Sequence, residues 1–366
     1  MDKPLLTFTI AAFNQEAFIR EAVAAAFAQT YSPLEIVLSD DCSRDRTFEI
    51  MQEMASGYRG PHRLILNRNS SQQSIGGHVN RVVELSQGEL IVGAAGDDIS
   101  SPERTQMAYE AWEQSGRKAT SIYSDYLQID EKGNQIGKVL EPEIADSGAV
   151  ITEHKVDPLS YLTNLEPIVF GCAHTFSREL FRVFGGLPGH IIHEDNALAF
   201  RSVLIGKLVH IKRPLVKYRV HGNNIYVQSR RRTTDLKTIQ RQEEWLKRNL
   251  ANREAMYAGF LADLECARRN GLINRLNFDQ GCAIAARKRF LFARQKQFLS
   301  SGLLGKCGLL VDLWRREGLG QKEKKMLIRR LLPQFLLVWF RLASGYGVVA
   351  WQRAFGSKAA QPLGSL

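Results

Sequence analysis

The sequence predicts an α/β fold in which a mostly parallel sheet is covered by helices and followed by a basic helical region. Three observations carry this prediction: β-prone apolar runs alternate with helical segments, polar clusters follow the predicted strands, and the charge changes sign along the chain. Strands that alternate with helices at this spacing form βαβ crossovers, and such crossovers join parallel strands.

The first part of the chain contains four strand–helix units. The predicted strands are 5–12, 34–39, 63–67 and 89–94, and the predicted helices are 16–30, 47–54, 78–87 and one that begins near 103. Residues 128–165 are less regular and are expected to form an excursion beside the cleft. Further along, the pattern predicts strands at 169–177, 208–211 and 215–220 and helices at 178–184 and 196–205.

Asp97 and Asp98 are the most informative residues of the sequence. They follow the apolar run Leu90-Ile-Val-Gly-Ala-Ala-Gly, where the predicted strand stops. Adjacent carboxylates repel each other, and Mg²⁺ or Mn²⁺ binds carboxylate oxygens together with substrate phosphates. The pair therefore predicts a metal and phosphate site. An Asx turn that caps the next helix is the alternative.

Two other predicted strands also end in polar clusters, at Phe13-Asn14 and Asp40-Asp41. Ligands of open parallel sheets bind outside the carboxyl ends of the strands, so these clusters are expected to share one cleft. The first strand lacks the G-x-G-x-x-G turn of dinucleotide-binding domains, and the chain has no G-K-[ST] of a phosphate-binding loop. A bound nucleotide is therefore expected to be held by side chains.

Five motifs occur in a fixed order along residues 5–225. They are Phe13-Asn14, Asp40-Asp41-Cys-Ser-Arg-Asp-Arg-Thr47, Gly96-Asp97-Asp98, His193-Glu194-Asp195 and Tyr218-Arg-Val-His221-Gly-Asn-Asn224. This ordered set resembles the family 2 glycosyltransferases of the GT-A fold. The resemblance implies an inverting, metal-dependent enzyme that moves a sugar from a nucleoside-diphosphate sugar to a hydroxyl of a glycan or glycolipid.

The resemblance implies a role for each donor-side residue. Phe13, Asn14 and Asp41 would hold the nucleobase, although Phe13 is alternatively a core residue and Asp41 alternatively caps the helix containing Phe48. Asp98 would bind the divalent metal, Mn²⁺ or Mg²⁺. Asp97 would lie near the ribose or the sugar.

The resemblance also implies the groups that act on the acceptor and the metal. Asp195, next to Glu194, would be the base that takes a proton from the acceptor hydroxyl, and one base with a single displacement predicts inversion. The alternative for Glu194-Asp195 is an acidic first helical turn that interacts with the helix dipole. His221 would complete the metal shell or reach the phosphates, and a structural histidine is the alternative.

One departure from the resemblance concerns the loop before the third helix, where many relatives carry an arginine. Here residues 70–77 are polar and neutral. We expect Arg68, His78 or the backbone amides of Gly76 and Gly77 to take its place.

The charge divides the chain into a catalytic domain, 1–228, and a basic helical region, 229–366. The first part has 22 Lys and Arg against 28 Asp and Glu, and the second has 27 against 10. Helix-favouring residues extend over 233–298, and the apolar run 331–340 is shorter than the ~20 residues that span a bilayer. Basic residues beside Trp and Phe predict a helix lying on the inner face of the cell membrane. Packing on the catalytic domain is the alternative, and nucleic-acid binding is disfavoured because no recognition motif accompanies the charge.

The remaining predictions concern location and competing functions. The five cysteines are widely spaced with no C-x-x-C pair, and the amino terminus passes directly into a strand, so we expect a reduced cytoplasmic protein on the membrane surface. The resemblance implies bacterial surface polysaccharide biosynthesis as the setting. A sugar nucleotidyltransferase and a non-catalytic scaffold of a glycan assembly complex are the alternative functions.

Overall fold

The computed structural model describes residues 3–139, 150–164, 169–222, 224, 236–301, 305, 308, 309 and 311. Its strands are β1 Leu6–Ala12, β2 Leu34–Asp40, β3 Arg63–Arg68, β4 Leu90–Ala95, β5 Ile99–Ser100, β6 Ala119–Ile129, β7 Gln135–Val139, β8 Ile151–His154, β9 His174–Ser177 and β10 Lys207–Arg219. Its helices are α1 Ile19–Phe27, α2 Thr47–Gly57, α3 Ile75–Leu85, α4 Arg104–Gln114, α5 Pro158–Asn164, α6 Glu179–Phe184, α7 Glu194–Ile205, α8 Leu236–Arg269 and α9 Arg275–Ser300. A 3₁₀ turn, Gly171–Ala173, precedes β9.

These strands form one mixed sheet in the order β3-β2-β1-β4-β9-β6-β10-β5. The pairs β2–β3, β1–β2, β1–β4 and β6–β10 are parallel. β9 lies antiparallel between β4 and β6, where it pairs with residues 90–92 and 121–123. β7 adds to β6 and β8 adds to β10, both antiparallel.

The core lies against the central parallel strands. Leu6, Phe8 and Ile10 of β1 are inaccessible to solvent, and every position of β2 is buried. A strand covered on both faces cannot show the alternation of a half-exposed strand, which explains the near-continuous apolar runs of β1, β2 and β4. Helix α1 adds its buried Ile19, Val23 and alanines to the same core.

The structure differs from the sequence predictions at four elements. β6 is an eleven-residue strand that was not predicted, because its serines and Asp125 interrupt the apolar pattern. The excursion predicted at 128–165 contains β7, β8 and α5. β10 is one strand where two were predicted, with register irregularities on either side of Pro214. The strand predicted at 169–177 is confined to β9, because the 3₁₀ turn precedes it.

The described residues fall into two compact units, 1–228 with 258–285 and 229–257 with 286–366. In the second unit, the rings of Tyr257 and Phe292 lie 5.7 Å apart and Lys296 pairs with Glu254 at 2.5 Å. α8 and α9 are separated by a turn in which Gly271 has a φ of +67°. The basic clusters at 230–232 and 324–330 and the apolar run 331–340 lie outside the described residues.

A buried ion pair holds part of α8 within the first unit. Arg201 Nε of α7 lies 3.1 Å from both carboxylate oxygens of Asp263, and the two side chains are 2% and 7% exposed. The same guanidinium donates to the carbonyl oxygens of Gly185 and Gly186. The position of α7 therefore depends on a contact that originates beyond residue 228.

In the part of the chain that the structure describes, none of the helices has the length and apolar character needed to cross a membrane.

Candidate active site

The register of the parallel strands places three sequence motifs at one edge of the sheet. Ala12 of β1 pairs with Asp40 of β2, and Ala11 pairs with Ala95 of β4. The residues that follow these strands therefore leave the sheet together at its carboxyl edge. Phe13, Asn14, Asp41, Asp97 and Asp98 all lie in these segments.

The turn after β1 is joined to the turn after β2 through Asn14. The Asn14 backbone N–H donates to Ser43 Oγ at 2.9 Å, and its side-chain oxygen accepts from the Arg44 N–H at 2.9 Å. Asn14 has a φ of +52°, a conformation that asparagine tolerates better than most residues. Phe13 is partly exposed, so its ring is not a fully buried core group.

Asp41 holds the loop that precedes α3. Its carboxylate accepts from Asn69 Nδ2 at 2.8 Å and from the Gln73 backbone N–H, which lies 2.9 and 3.1 Å from the two oxygens. Asp45, and not Asp41, accepts from the Thr47 N–H at the start of α2. The carboxylate of Asp41 thus organises residues 69–73 beside the strand edge.

The groups expected to replace the missing loop arginine have partners within the protein. Arg68 Nε lies 3.4 Å from Asp40 Oδ2. His78 is buried, and its Nε2 lies 2.8 Å from Ser39 Oγ. The Gly76 N–H donates to the Ile191 carbonyl, and the Gly77 N–H donates to the Ser74 hydroxyl that caps α3.

Asp97 and Asp98 are held by the carboxyl end of β10. The Arg219 backbone N–H donates to Asp98 Oδ1 at 2.9 Å, and Arg219 Nε donates to the Asp97 carbonyl at 3.0 Å. His221 Nε2 lies 2.9 Å from Asp97 Oδ2. The third and fifth of the sequence motifs therefore meet here, and the histidine contacts Asp97 rather than Asp98.

Asp98 is a buried carboxylate whose charge is incompletely compensated. Its Oδ2 atom accepts no hydrogen bond from any described residue. Burial, and then the charge of Asp97, raise the pKa of Asp98 well above its usual range. A cation beside this oxygen would satisfy the empty acceptor and favour the ionised form.

Glu194 and Asp195 form the first turn of α7, as the alternative interpretation of this motif requires. Both are partly exposed. Burial, and then the neighbouring Asp195 charge, raise the pKa of Glu194 to about 8. Burial also raises the pKa of Asp195, while His193 and hydrogen bonds from Asn196 and Gly171 oppose that shift. Near neutral pH the Glu194 carboxyl is therefore largely protonated, which limits the negative charge of the pair.

The 3₁₀ turn before β9 brings a glycine against this second acidic pair. A Cβ atom at Gly171 would lie 2.7 Å from Glu194 Oε1 and 3.8 Å from Asp195 Oδ2. Real Cβ atoms essentially never approach an oxygen that closely, so a larger residue would displace the Glu194 carboxylate. Because that carboxylate is the end of a flexible side chain, a substitution at Gly171 would move Glu194 rather than the backbone.

Three residues that shape the site were not among the sequence candidates: Gly171, Arg219 and Arg104. Arg104 is buried and donates to Ser100 Oγ and to the carbonyls of Gly93 and His174, which ties β4 to β9 beneath the acidic pairs. Arg219 lies within the Tyr218–Asn224 motif, but the sequence did not indicate that it would hold Asp97 and Asp98. For Gly171 and Arg104 the sequence offers no comparable signal.

Comparison with known proteins agrees with the class that fold and site define. Residues 7–184 match the family described as Glycosyl transferase family 2, and this part of the chain belongs to that family. The α/β sheet flanked by helices is the GT-A fold that the sequence predicted.

Individual relatives are similar over part of their length. An uncharacterised glycosyltransferase of Rickettsia felis is 27% identical over 223 residues, which cover 60% of this chain and 35% of that protein. The match thus spans about a third of that relative. Another, from Rickettsia typhi, is 24% identical over 71% of this chain and 73% of its own.

Among solved structures, the mannosyltransferase PcManGT from Pyrobaculum calidifontis, in complex with GDP-Man and Mn²⁺, is similar at 15% identity. The similarity covers 92% of this chain and 87% of that one, with a TM-score of 0.47.

Proposed function

We propose that this protein is a glycosyltransferase that moves a sugar from a nucleoside-diphosphate donor to a hydroxyl of a glycan or glycolipid, with inversion at the anomeric carbon. The observation that carries the proposal is the buried Asp97–Asp98 pair at the carboxyl edge of the sheet, with an unsatisfied oxygen on Asp98. The family of residues 7–184 supports the same reaction class.

The acidic pair fits a divalent cation held jointly with the diphosphate. Among the described residues, no three His, Cys, Asp or Glu side chains converge on a ready-made metal cage. Mg²⁺-type sites commonly use one or two carboxylates together with substrate phosphates, and Asp98 with Asp97 provides that number. When bound, such a cation neutralises charge on the leaving diphosphate.

His221 has two possible roles at this pair, direct ligation of the cation or orientation of Asp97. The 2.9 Å contact between His221 Nε2 and Asp97 Oδ2 supports orientation. We expect His221→Asn to weaken Mn²⁺ binding less than Asp98→Asn does. Equal losses in the two variants would instead support ligation by the histidine.

Asp195 is proposed as the base of the reaction. Its carboxylate accepts the proton of the acceptor hydroxyl while that oxygen forms a bond to the anomeric carbon and the bond to the diphosphate breaks. A pKa raised by burial makes an aspartate a stronger base than in water. Glu194, protonated near neutral pH, limits the negative charge beside Asp195.

The proposal is tested by calorimetric titration with UDP, GDP, dTDP and CDP, with and without Mn²⁺, on wild type and Asp98→Asn. We expect metal-dependent binding of one diphosphate that is lost in Asp98→Asn. Asp279→Asn, which changes an exposed carboxylate of α9, is the matched control. Failure of all four to bind would contradict the proposal and favour a scaffold. Stronger binding of the corresponding nucleoside triphosphate, titrated in the same way, would favour a nucleotidyltransferase.

The stereochemistry and the base are tested on the product. Asp195→Asn should lower kcat by about 10²–10⁴-fold and leave the diphosphate Kd unchanged, because the base acts on the acceptor. NMR of the wild-type product should show inverted anomeric configuration. A retained anomer would contradict the single displacement.

We further propose that the basic part of the chain holds the enzyme on an anionic membrane surface, in a surface polysaccharide pathway. Leu272, in the turn between α8 and α9, is 39% exposed, and Leu276, in the first turn of α9, is 65% exposed. Arg268, Arg269 and Arg275 lie close to them along the chain. Exposed apolar side chains among arginines suit the interface of an anionic membrane.

The membrane proposal is tested in the full-length chain, because deleting the region beyond 228 would remove Asp263 from its buried pair with Arg201. Changing Leu272 and Leu276 to Ser with Arg269 and Arg275 to Gln should reduce sedimentation with phosphatidylglycerol vesicles. Exposed Arg20 and Arg81, both changed to Gln, serve as the charge-matched control. Equal sedimentation of both variants and wild type would contradict this surface.

A further inference from the structure

Three aromatic rings form a wall at the carboxyl ends of β6 and β10. The ring of Tyr126 lies 5.3 Å from that of Phe170 and 5.7 Å from that of Tyr218, with both pairs edge to face. Tyr126 is buried at the centre, and Phe170 and Tyr218 are partly exposed on its two sides. Cys172 packs in the same cluster.

One side of this aromatic wall adjoins the first acidic pair. Tyr218 directly precedes Arg219, whose backbone N–H donates to Asp98 Oδ1. Burial, followed by the charge of Asp98, raises the pKa of the Tyr218 phenol. Tyr218 is therefore adjacent in the chain to the backbone group that holds the carboxylate proposed to bind the cation.

The other side adjoins the second acidic pair. Phe170 directly precedes Gly171, where a Cβ atom would lie 2.7 Å from Glu194 Oε1. Cys172 lies in the same cluster. Burial, and then the charge of Asp98, raise the pKa of its thiol, and the charges of Asp195 and Asp97 raise it further. The wall consequently extends from the proposed phosphate side to the proposed base.

A sugar undergoing transfer must lie between these two sides, because its anomeric carbon bonds to the phosphate and is attacked by the oxygen that the base deprotonates. A pyranose presents apolar C–H groups on its ring faces and hydroxyls at its edge. Partly exposed aromatic rings provide a flat apolar surface, and a phenol adds a polar group. Ring shape and position on this wall match that requirement.

We propose that Phe170 and Tyr218 are the specificity-determining surface against which a pyranose ring of the substrate packs between the two acidic pairs. This inference depends on the glycosyltransferase function proposed above. The ring can belong to the donor or to the acceptor, and the chemistry of recognition is the same for both. The two sources are separated by experiment.

The donor arm compares each nucleoside diphosphate with its sugar-bearing form, UDP with UDP-glucose and GDP with GDP-mannose, by calorimetry on full-length protein with Mn²⁺. In Phe170→Leu and Tyr218→Leu, the Kd of the sugar nucleotide should rise about tenfold, and the Kd of the bare diphosphate should stay unchanged. Tyr218→Phe keeps the ring and should retain most of the affinity. Tyr58→Leu changes a partly exposed ring that packs on Phe27 and serves as the control.

The acceptor arm uses octyl glucoside, galactoside and mannoside as probes in saturation-transfer NMR with the diphosphate bound. If the wall holds the acceptor, the saturation-transfer signals of the octyl glycosides are lost in the leucine variants. The difference in Kd between the diphosphate and the sugar nucleotide then stays as in wild type. Loss in either arm supports the inference.

Two results would overturn it. The first is unchanged sugar affinity in both arms, in variants that still bind the diphosphate with wild-type Kd. The second is an equal loss for bare diphosphate and sugar nucleotide, which would show that the rings only support the fold. If no diphosphate binds wild type, the proposed function itself fails, and that outcome is distinct from both.

Discussion

Two pairs of adjacent aspartates, Asp40-Asp41 and Asp97-Asp98, lie at the carboxyl edge of the same sheet. The second aspartate of each pair, Asp41 or Asp98, has different hydrogen-bond partners. Asp41 accepts hydrogen bonds from the Asn69 side chain and the Gln73 backbone, so both of its oxygens are engaged. Asp98 accepts one bond, from the Arg219 backbone, and its other oxygen has none among the described residues. The two carboxylates are buried to a similar extent.

The difference separates a carboxylate that organises the protein from one that is prepared for a ligand. Hydrogen bonds to an ionised carboxylate offset the cost of burial, whereas an unpaired buried charge raises the free energy of the folded state. Asp98 therefore reduces stability in the unliganded protein and gains a partner when a cation binds. Asp41 gives its interactions to the loop 69–73 before any nucleotide arrives.

The largest expected effect is that of Asp98→Asn, which removes the buried charge that distinguishes Asp98 from Asp41. We expect activity to fall by about 10³-fold, because the charge that favours the cation is removed. Thermal stability in the absence of metal should rise, since a buried like-charge contact with Asp97 disappears. Activity assays and melting curves with and without Mn²⁺ measure both. A fall in metal-free stability would show that Asp98, like Asp41, is a structural carboxylate.

The sequence predicted the parts of the site that depend on local pattern, and it did not predict the roles that depend on distant partners. The strand-end motifs were visible because apolar runs stop at polar clusters, and the parallel register then brings these clusters together without further information. The roles of Asn14 and Asp41 as loop anchors were not visible, because their partners lie 28 to 32 residues away.

The elements that the sequence failed to predict depend on tertiary packing. β6 contains Ser121, Ser124 and Asp125, which periodicity assigns to a surface, yet these side chains are buried with partners such as His174 and His210. The 3₁₀ turn at Gly171 leads into β9, which enters the sheet antiparallel between β4 and β6. Local propensity contains no record of either arrangement.

Asp263 extends the comparison to a buried carboxylate with a full ionic partner. We expect Asp263→Ala to destabilise the protein by about 3–5 kcal/mol, because Arg201 would keep an uncompensated buried charge. Urea denaturation measures the change, and Glu265→Gln, which affects an exposed carboxylate two residues further along α8, is the control. The double variant Arg201→Met with Asp263→Leu should recover most of the loss. If Asp263→Ala loses no more stability than the control variant, the ion pair does not anchor α7.

Asp41→Ala should have a smaller effect, of the sign opposite to that of Asp98→Asn. Removing the acceptor leaves the Gln73 N–H and the Asn69 amide without this partner, at a cost of about 1–3 kcal/mol. Urea denaturation gives the change in stability, and hydrogen exchange at residues 69–73 shows whether the loop is the part that loosens. Unchanged stability with weaker diphosphate binding would instead make Asp41 primarily a ligand-binding group.

A dependence of stability on pH is expected to originate at Glu194. Its pKa is about 8 in the folded protein against 4.5 in the reference state, so the folded form holds its proton more tightly. The unfolded chain releases the proton first, and the stability contribution of this group is therefore complete below pH 4.5 and lost as pH rises to about 8. Melting temperatures of wild type should fall over this window more steeply than those of Glu194→Gln, with exposed Glu110→Gln following wild type. In Asp195→Asn the window should narrow from its upper end, because the neighbouring charge that raises the pKa of Glu194 has been removed. Parallel curves for wild type and Glu194→Gln would show that folding does not raise the pKa of Glu194.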